Sequence, residues 1–183
     1  MRHRLVYGAS LAVALLAGGA ALSPCRAAVS AADQQFINEA AVGGQFEIAA
    51  GKIAARSTNP QVQAFGQRMV RDHSAADAQL QQLVETQGGK LPGALDPQHQ
   101  QLRDHLASLK GDEFDREYIA LMVKDHDDDT KAFADEQRNT TDPKLKQFVE
   151  QTLTVVKEHD QMARQIAGTM GLKLNIETNN KNG

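Results

Sequence analysis

Apolar residues recur every three to four positions through four long stretches of this chain, and between them the pattern breaks at Pro, Gly and Asn. Helix A runs from about Ala32 to Ser57, with Phe36, Ala40, Gly43, Glu47, Gly51 and Ala54 on one stripe and Asn38, Gln45, Lys52 and Arg56 opposite. Helix B starts after Asn59-Pro60, a cap followed by a first-turn proline. It carries Val62, Phe65, Met69, His73, Ala76, Leu80 and Leu83 to a stop at Gly88-Gly89. Helix C starts near Gly111-Asp112 and lines up Phe114, Tyr118, Met122, His126, Asp129 and Phe133. Helix D follows Thr141-Asp142-Pro143 with Leu145, Phe148, Val149, Thr152, Val156, His159, Ala163 and Ile166.

The connections decide the architecture. A to B and C to D are short and make antiparallel neighbours. B to C is long, from Gly88 to Gly111, and holds a short helix around Pro97–Leu109 with Leu102, Leu106 and Leu109 on one side. The expectation is all-α: a ferritin-like antiparallel four-helix bundle, two helical hairpins joined by a long crossover containing a short helix. Gly43, Gly44 and Gly51 cost helix A propensity, which close approach by a neighbouring helix would return.

Polar residues inside these stripes are the informative exceptions. Glu47, His73, His126 and His159 each fall near the midpoint of a helix about 26 residues long, which rises ~40 Å. Antiparallel packing preserves midpoints, so the four groups can meet at one level. Burying them costs free energy unless partners satisfy them. Two readings stay open. Three imidazoles and a carboxylate can bind one transition-metal ion, Zn, Fe, Mn or Cu. They can equally close a metal-free His/Glu network, with Tyr118 as a further partner.

A dinuclear iron site does not fit. Such bundles place Glu three residues before a ligating His, and here Val70, Val123 and Val156 occupy those positions. Asp77 and Asp129, one turn beyond His73 and His126, lean inward as orienting groups or extra ligands. Asp72, Asp125, Glu158 and Asp160 flank the histidines in sequence and are expected to be solvated. His99 and His105 read as surface residues of the crossover, and Met69 and Met122 as core filler. The run Asp125–Asp129 lacks the glycine of a calcium loop and lies inside a helical pattern.

These stretches resemble a bacterial family, DUF4142. The resemblance is carried by Phe36-Ile37-Asn38-Glu39-Ala40-Ala41, Glu47-Ile48-Ala49-Ala50-Gly51, Phe65-Gly66-Gln67-Arg68-Met69-Val70-Arg71-Asp72-His73, Phe114-Asp115-Arg116-Glu117-Tyr118, and the histidines at 126 and 159. It spans roughly Ala32 to Met170. It implies a ferritin-like four-helix fold and leaves the activity undefined. Members often carry an outer-membrane label, but no alternating barrel strands occur here.

Composition narrows the setting. Residues 1–28 read as a signal peptide: Arg2 and Arg4, an apolar run from Leu5 to Leu22, then small residues. The run is short for a membrane span and broken by Gly8, Gly18 and Gly19. Cys25 is the single cysteine, and Pro24 before it departs from a lipoprotein cleavage box, so lipid anchoring is not expected. Residues 32–170 form the bundle, and 171–183 read as a polar disordered tail. Cleavage after residue 27 takes the basic residues from 20 to 17 against 23 acidic ones, a net charge of about −6. There is no basic stripe for nucleic acid, no Trp, no nucleophile triad and no phosphate loop. The reading is an exported, periplasmic bundle without a membrane span in its mature form. It either binds a metal ion in a metal-handling or stress-related role or serves as a structural module of the envelope. A third reading, an enzyme using the site for redox or hydrolytic chemistry, ranks below both, because it needs an open coordination position and an access path and no sequence feature shows either.

Overall fold

The computed structural model describes residues 29–174, so the signal-peptide reading and the tail from residue 175 lie outside the described residues. Five helices follow in order: α1 (Ala31–Ala54), α2 (Pro60–Thr86), α3 (Pro97–Ser108), α4 (Gly111–Asn139) and α5 (Pro143–Thr169). The α1–α2 and α4–α5 hairpins pack together, α2 on α5 and α1 on α4, and the crossover carries α3 against α1 and α4. This is the four-helix bundle with one long connection that the loop lengths dictate.

The starts are written in the sequence. Ser30 Oγ accepts from the Asp33 N–H at 3.0 Å, Asn59 Oδ1 from Gln61, and Asp142 Oδ1 from Lys144 and Leu145. Each cap satisfies a donor that the first turn leaves without an intrahelical partner. Pro60, Pro97 and Pro143 follow the caps Asn59, Asp96 and Asp142, where a missing N–H costs nothing. At the far end Gly171 turns left-handed at φ 64°, and the Leu172 N–H returns to the Ala167 carbonyl at 2.9 Å. Leu172 and Leu174 then pack on the core, so the ordered chain runs past residue 170.

The core falls into two apolar clusters with a polar layer between. One gathers Phe46, Ala50, Phe65, Met69, Leu106, Phe114, Tyr118, Met122 and Ala163; the other Phe36, Ile37, Leu80, Leu83, Phe133, Leu145, Phe148 and Leu153. Helix α1 buries a wider arc than its single stripe predicts: Ile37, Ala41, Phe46 and Ala50 are buried too. At Phe46 and Ala50 the cause is α3, which closes over the outer side of α1, whereas Ile37 and Ala41 are covered within the second cluster by α2, α4 and α5. Phe46 meets His99 at 5.3 Å between ring centroids, and Gln45 Nε2 donates to the Pro92 carbonyl at 2.9 Å. His99 also pairs with Asp96, and His105 with Glu117, both away from the polar layer.

Two of the helix glycines lie where the hairpin is tightest. A Cβ on Gly66 would stand 2.6 Å from Ala54 Cβ, 2.7 Å from the Ala55 nitrogen and 2.8 Å from the Gly51 carbonyl. A Cβ on Gly51 would meet the Gly66 carbonyl at 3.0 Å. Close approach thus explains Gly51, whereas at Gly43 a Cβ would meet nothing within 4 Å.

Asp33 and Glu136 form a second buried polar contact, at the end of the bundle near the start of α1. Burial, and then the neighbouring Asp33 carboxyl, push Glu136 up to about 7. A carboxyl whose pKa is raised on folding binds protons more tightly in the folded chain. Its stabilising effect is complete below about pH 4.5 and is lost as pH rises through about 7.

Two predictions follow from this packing. Gly66→Ala forces atoms against backbone, and overpacking of ~1–3 kcal/mol outweighs the gain of ~1 kcal/mol in helix propensity. Urea unfolding should show a lower midpoint for Gly66→Ala and a higher one for Gly43→Ala. Glu136→Gln should flatten the fall in stability between pH 4.5 and 7 relative to the parent, read from urea midpoints across that range.

Candidate metal centre

The polar layer contains the four sequence-predicted residues, one from each long helix. Glu47, His126 and His159 are 0–1% exposed and His73 is 6%. The imidazoles stand around a common space. Ring centroids are 5.2 Å apart for His73–His159, 5.4 Å for His126–His159 and 5.9 Å for His73–His126. One ring nitrogen of each lies within 4.8 Å of those of the other two. Two nitrogens on a tetrahedral ion at ~2.05 Å stand roughly 3.4 Å apart, so closing on an ion takes a side-chain adjustment, not a change of fold.

Each imidazole has one nitrogen engaged and one left over. His126 Nδ1 donates to the Met122 carbonyl at 2.9 Å, one turn back along α4. A carbonyl only accepts, so Nδ1 carries the proton and Nε2 keeps its lone pair. His159 Nε2 donates to Asp72 Oδ2 at 2.9 Å, leaving Nδ1. His73 Nδ1 pairs with Glu47 Oε2 at 2.9 Å, leaving Nε2. The three leftover nitrogens, His73 Nε2, His126 Nε2 and His159 Nδ1, are buried without a hydrogen-bond partner. Glu47 Oε1 comes within 3.3 Å of His126 Nε2 but is not aligned for a hydrogen bond, and it too lacks a partner.

Electrostatics keeps the imidazoles neutral. Burial pushes His159 down to about 3 against the opposing bond to Asp72, with His73 and His126 lowering it further. Burial likewise lowers His73 and His126, opposed by Asp129 and Glu47 respectively. The same burial raises Glu47 to about 8 despite His126. A neutral imidazole with a free lone pair is the form that ligates a metal ion.

Several flanking residues differ from their sequence expectation. Asp72 is not solvated: it lies one residue round the helix from His73, which turns it across the α2–α5 contact to His159. Burial opposes its charge, but hydrogen bonds from His159 and Arg68 prevail and hold its carboxyl below the usual range. Asp160 pairs with Arg164 at 2.8 Å, and Asp125 is partly buried, with burial raising its pKa. Glu158 does face outward and meets Arg68. Asp77 and Asp129, expected to orient imidazoles, form no hydrogen bond with them among the described residues. They wall an adjoining cavity instead, where burial raises Asp129 well above its ordinary value. Tyr118 is buried in the neighbouring cluster with its hydroxyl unpartnered, outside the histidine network.

The fold and this centre define a class: four-helix bundles with three buried histidines and a glutamate, one from each long helix. A family model described as a domain of unknown function, DUF4142, matches residues 19–166, and the chain belongs to that family. Among curated proteins none matches. Solved structures share the fold. A DUF305 fragment from Deinococcus radiodurans superposes with a TM-score of 0.68 at 12% identity, over 78% of this chain and 99% of that one. CopM in its Cu(I)-bound and Cu(II)-bound forms gives TM-scores of 0.64 and 0.65 at 18% identity, over 75% of this chain and 96% of CopM. At these identities the likeness establishes the fold and not the ligand. No helix among the described residues is long and apolar enough to cross a membrane.

The hydrogen-bond pattern fixes two tautomers. In ¹⁵N spectra of the metal-free protein near pH 7, His126 should be protonated at Nδ1 and His159 at Nε2. His159 should stay neutral well below pH 6.

Proposed function

We propose that this is an exported protein that holds one transition-metal ion on His73, His126 and His159 and serves in metal handling. The observation that carries the reading is the set of three unpartnered imidazole nitrogens, each on a ring whose other nitrogen is anchored. Ligating histidines characteristically bond their second nitrogen to a carboxylate or a backbone carbonyl. Asp72 and the Met122 carbonyl fill that role for His159 and His126, and the Glu47 carboxyl stands 2.9 Å from His73 Nδ1. That contact is through Glu47 Oε2; Oε1, beside the triad at 3.3 Å from His126 Nε2, would have to turn inward to add a fourth donor.

The donor set also speaks to the ion. Three neutral nitrogens and one carboxylate oxygen suit Zn²⁺ or Cu²⁺ better than Mg²⁺ or Ca²⁺. Structures of CopM with Cu(I) and Cu(II) share this fold and make copper the first ion to test. A cation in the layer would satisfy the orphaned nitrogens and offset the burial that keeps Glu47 protonated. Uptake near pH 7 should therefore release protons. Four donors on four helices make the centre a closed one, which favours binding over catalysis.

Elemental analysis of protein purified without chelator, beside His126→Ala, tests the reading. The parent should carry about one ion per chain and the variant almost none. Equal stoichiometric metal in His73→Ala, His126→Ala and His159→Ala would overturn the assignment. A metal-free parent that also takes up no Cu²⁺ or Zn²⁺ would leave the layer as a buried hydrogen-bonded network in an envelope module.

A further inference from the structure

A cavity of about 30 Å³ adjoins the histidine layer on the side of the α1 start, with room for one water molecule. Glu47 and His73 form its inner wall. Asp77, Asp129 and Thr152 supply its other polar groups, and no Lys or Arg lines it. Glu47 is 1% exposed with Oε1 unpartnered, and Asp77 Oδ1 is likewise buried without a partner. The outer rim is low. Gly43 and Gly44 have no side chains, and both, with Ala76 and Asp77, keep partial exposure. A Cβ on Gly43 would meet nothing within 4 Å, and one on Gly44 would stand 4.0 Å from His73 Nδ1.

These carboxylates do not make a second closed site. Among the described residues only the three histidines bring donor atoms together closely enough to share an ion. What the acids do is continue a line of oxygen donors from a part-exposed rim to the buried triad. A cation leaving water loses hydration at each step, and successive carboxyl oxygens can replace it, while the wall holds no positive side chain to repel the ion.

We infer that this cavity is the entry route for the metal ion, with Asp77 and Asp129 passing it from the Gly43–Gly44 rim to Glu47 and the triad. The inference rests on the triad binding metal. A larger groove of about 200 Å³ also reaches His73, between α2 and α5. Its single carboxylate, Asp72, is already bonded to Arg68 and His159, so it offers an arriving cation less.

Stopped-flow mixing with Cu²⁺, release to excess EDTA and an equilibrium competition titration separate route from site. In Asp77→Asn/Asp129→Asn the association rate should fall about tenfold. Gly43→Leu, which narrows the rim, should slow loading and release by the same factor and leave Kd unchanged, because an obstacle acts equally in both directions. Ala75→Leu, in the α2–α5 groove, should match the parent. Asp77→Asn alone should slow loading severalfold and preserves the test if the double variant does not fold. Parent-like loading in the acid variants and Gly43→Leu, or slowing confined to Ala75→Leu, would overturn the route while leaving the triad standing. A parent that binds no Cu²⁺ would remove the metal reading, and the route with it.

Discussion

Three imidazoles are buried at one height in this bundle; His126 and His159 each make one hydrogen bond, and His73 has only the Glu47 carboxyl 2.9 Å from its Nδ1. A buried polar atom without a partner costs on the order of 1–3 kcal/mol, so three together weigh heavily against the few kcal/mol that hold a domain folded. The surrounding structure is arranged around that cost. Two apolar clusters, one on each side, supply the burial that carries the layer. Asp72, the Met122 carbonyl and Glu47 lie outside the ring of histidines and fix its orientation. The unsatisfied atoms all face inward, which is where a single positive ion would repay every one of them.

Much of this was legible in the sequence, for a definite reason. Helices of similar length joined by short turns keep their midpoints aligned, so Glu47, His73, His126 and His159 could be placed at one level by counting. Asn59-Pro60 and Asp142-Pro143 announced two helix starts, and the 22 residues between Gly88 and Gly111 announced the crossover. What counting could not reach was the angle between neighbours. Asp72 lies beside the stripe of α2, and only the closeness of α5 turns it into the partner of His159. The inward lean of Asp77 and Asp129 was foreseen, but not that they would face a cavity and not a ring nitrogen.

The small residues teach a related lesson. Gly66 leaves no mark in a hydrophobic pattern, yet it sets how near α1 and α2 can come. Gly43, Gly44 and Gly51 look alike in sequence and differ in role: one packs against backbone, one stands over His73, and one faces open space. Helix α1 likewise looked like a one-sided helix until α3 was seen to cover its outer face, which is why Phe46 and Ala50 are as buried as the residues of the predicted stripe.

The polar layer that divides the core also divides its cooperativity. Leu106 of α3 belongs to only one of the two clusters, so that half is held by five helices and the other by four. Amides near the start of α1 and the end of α2 should therefore exchange through sub-global opening, while those around Phe65 and Tyr118 wait for complete unfolding. The cavity lies on the looser side of the layer. The half of the molecule that breathes most readily is the half through which the buried histidines are nearest to water.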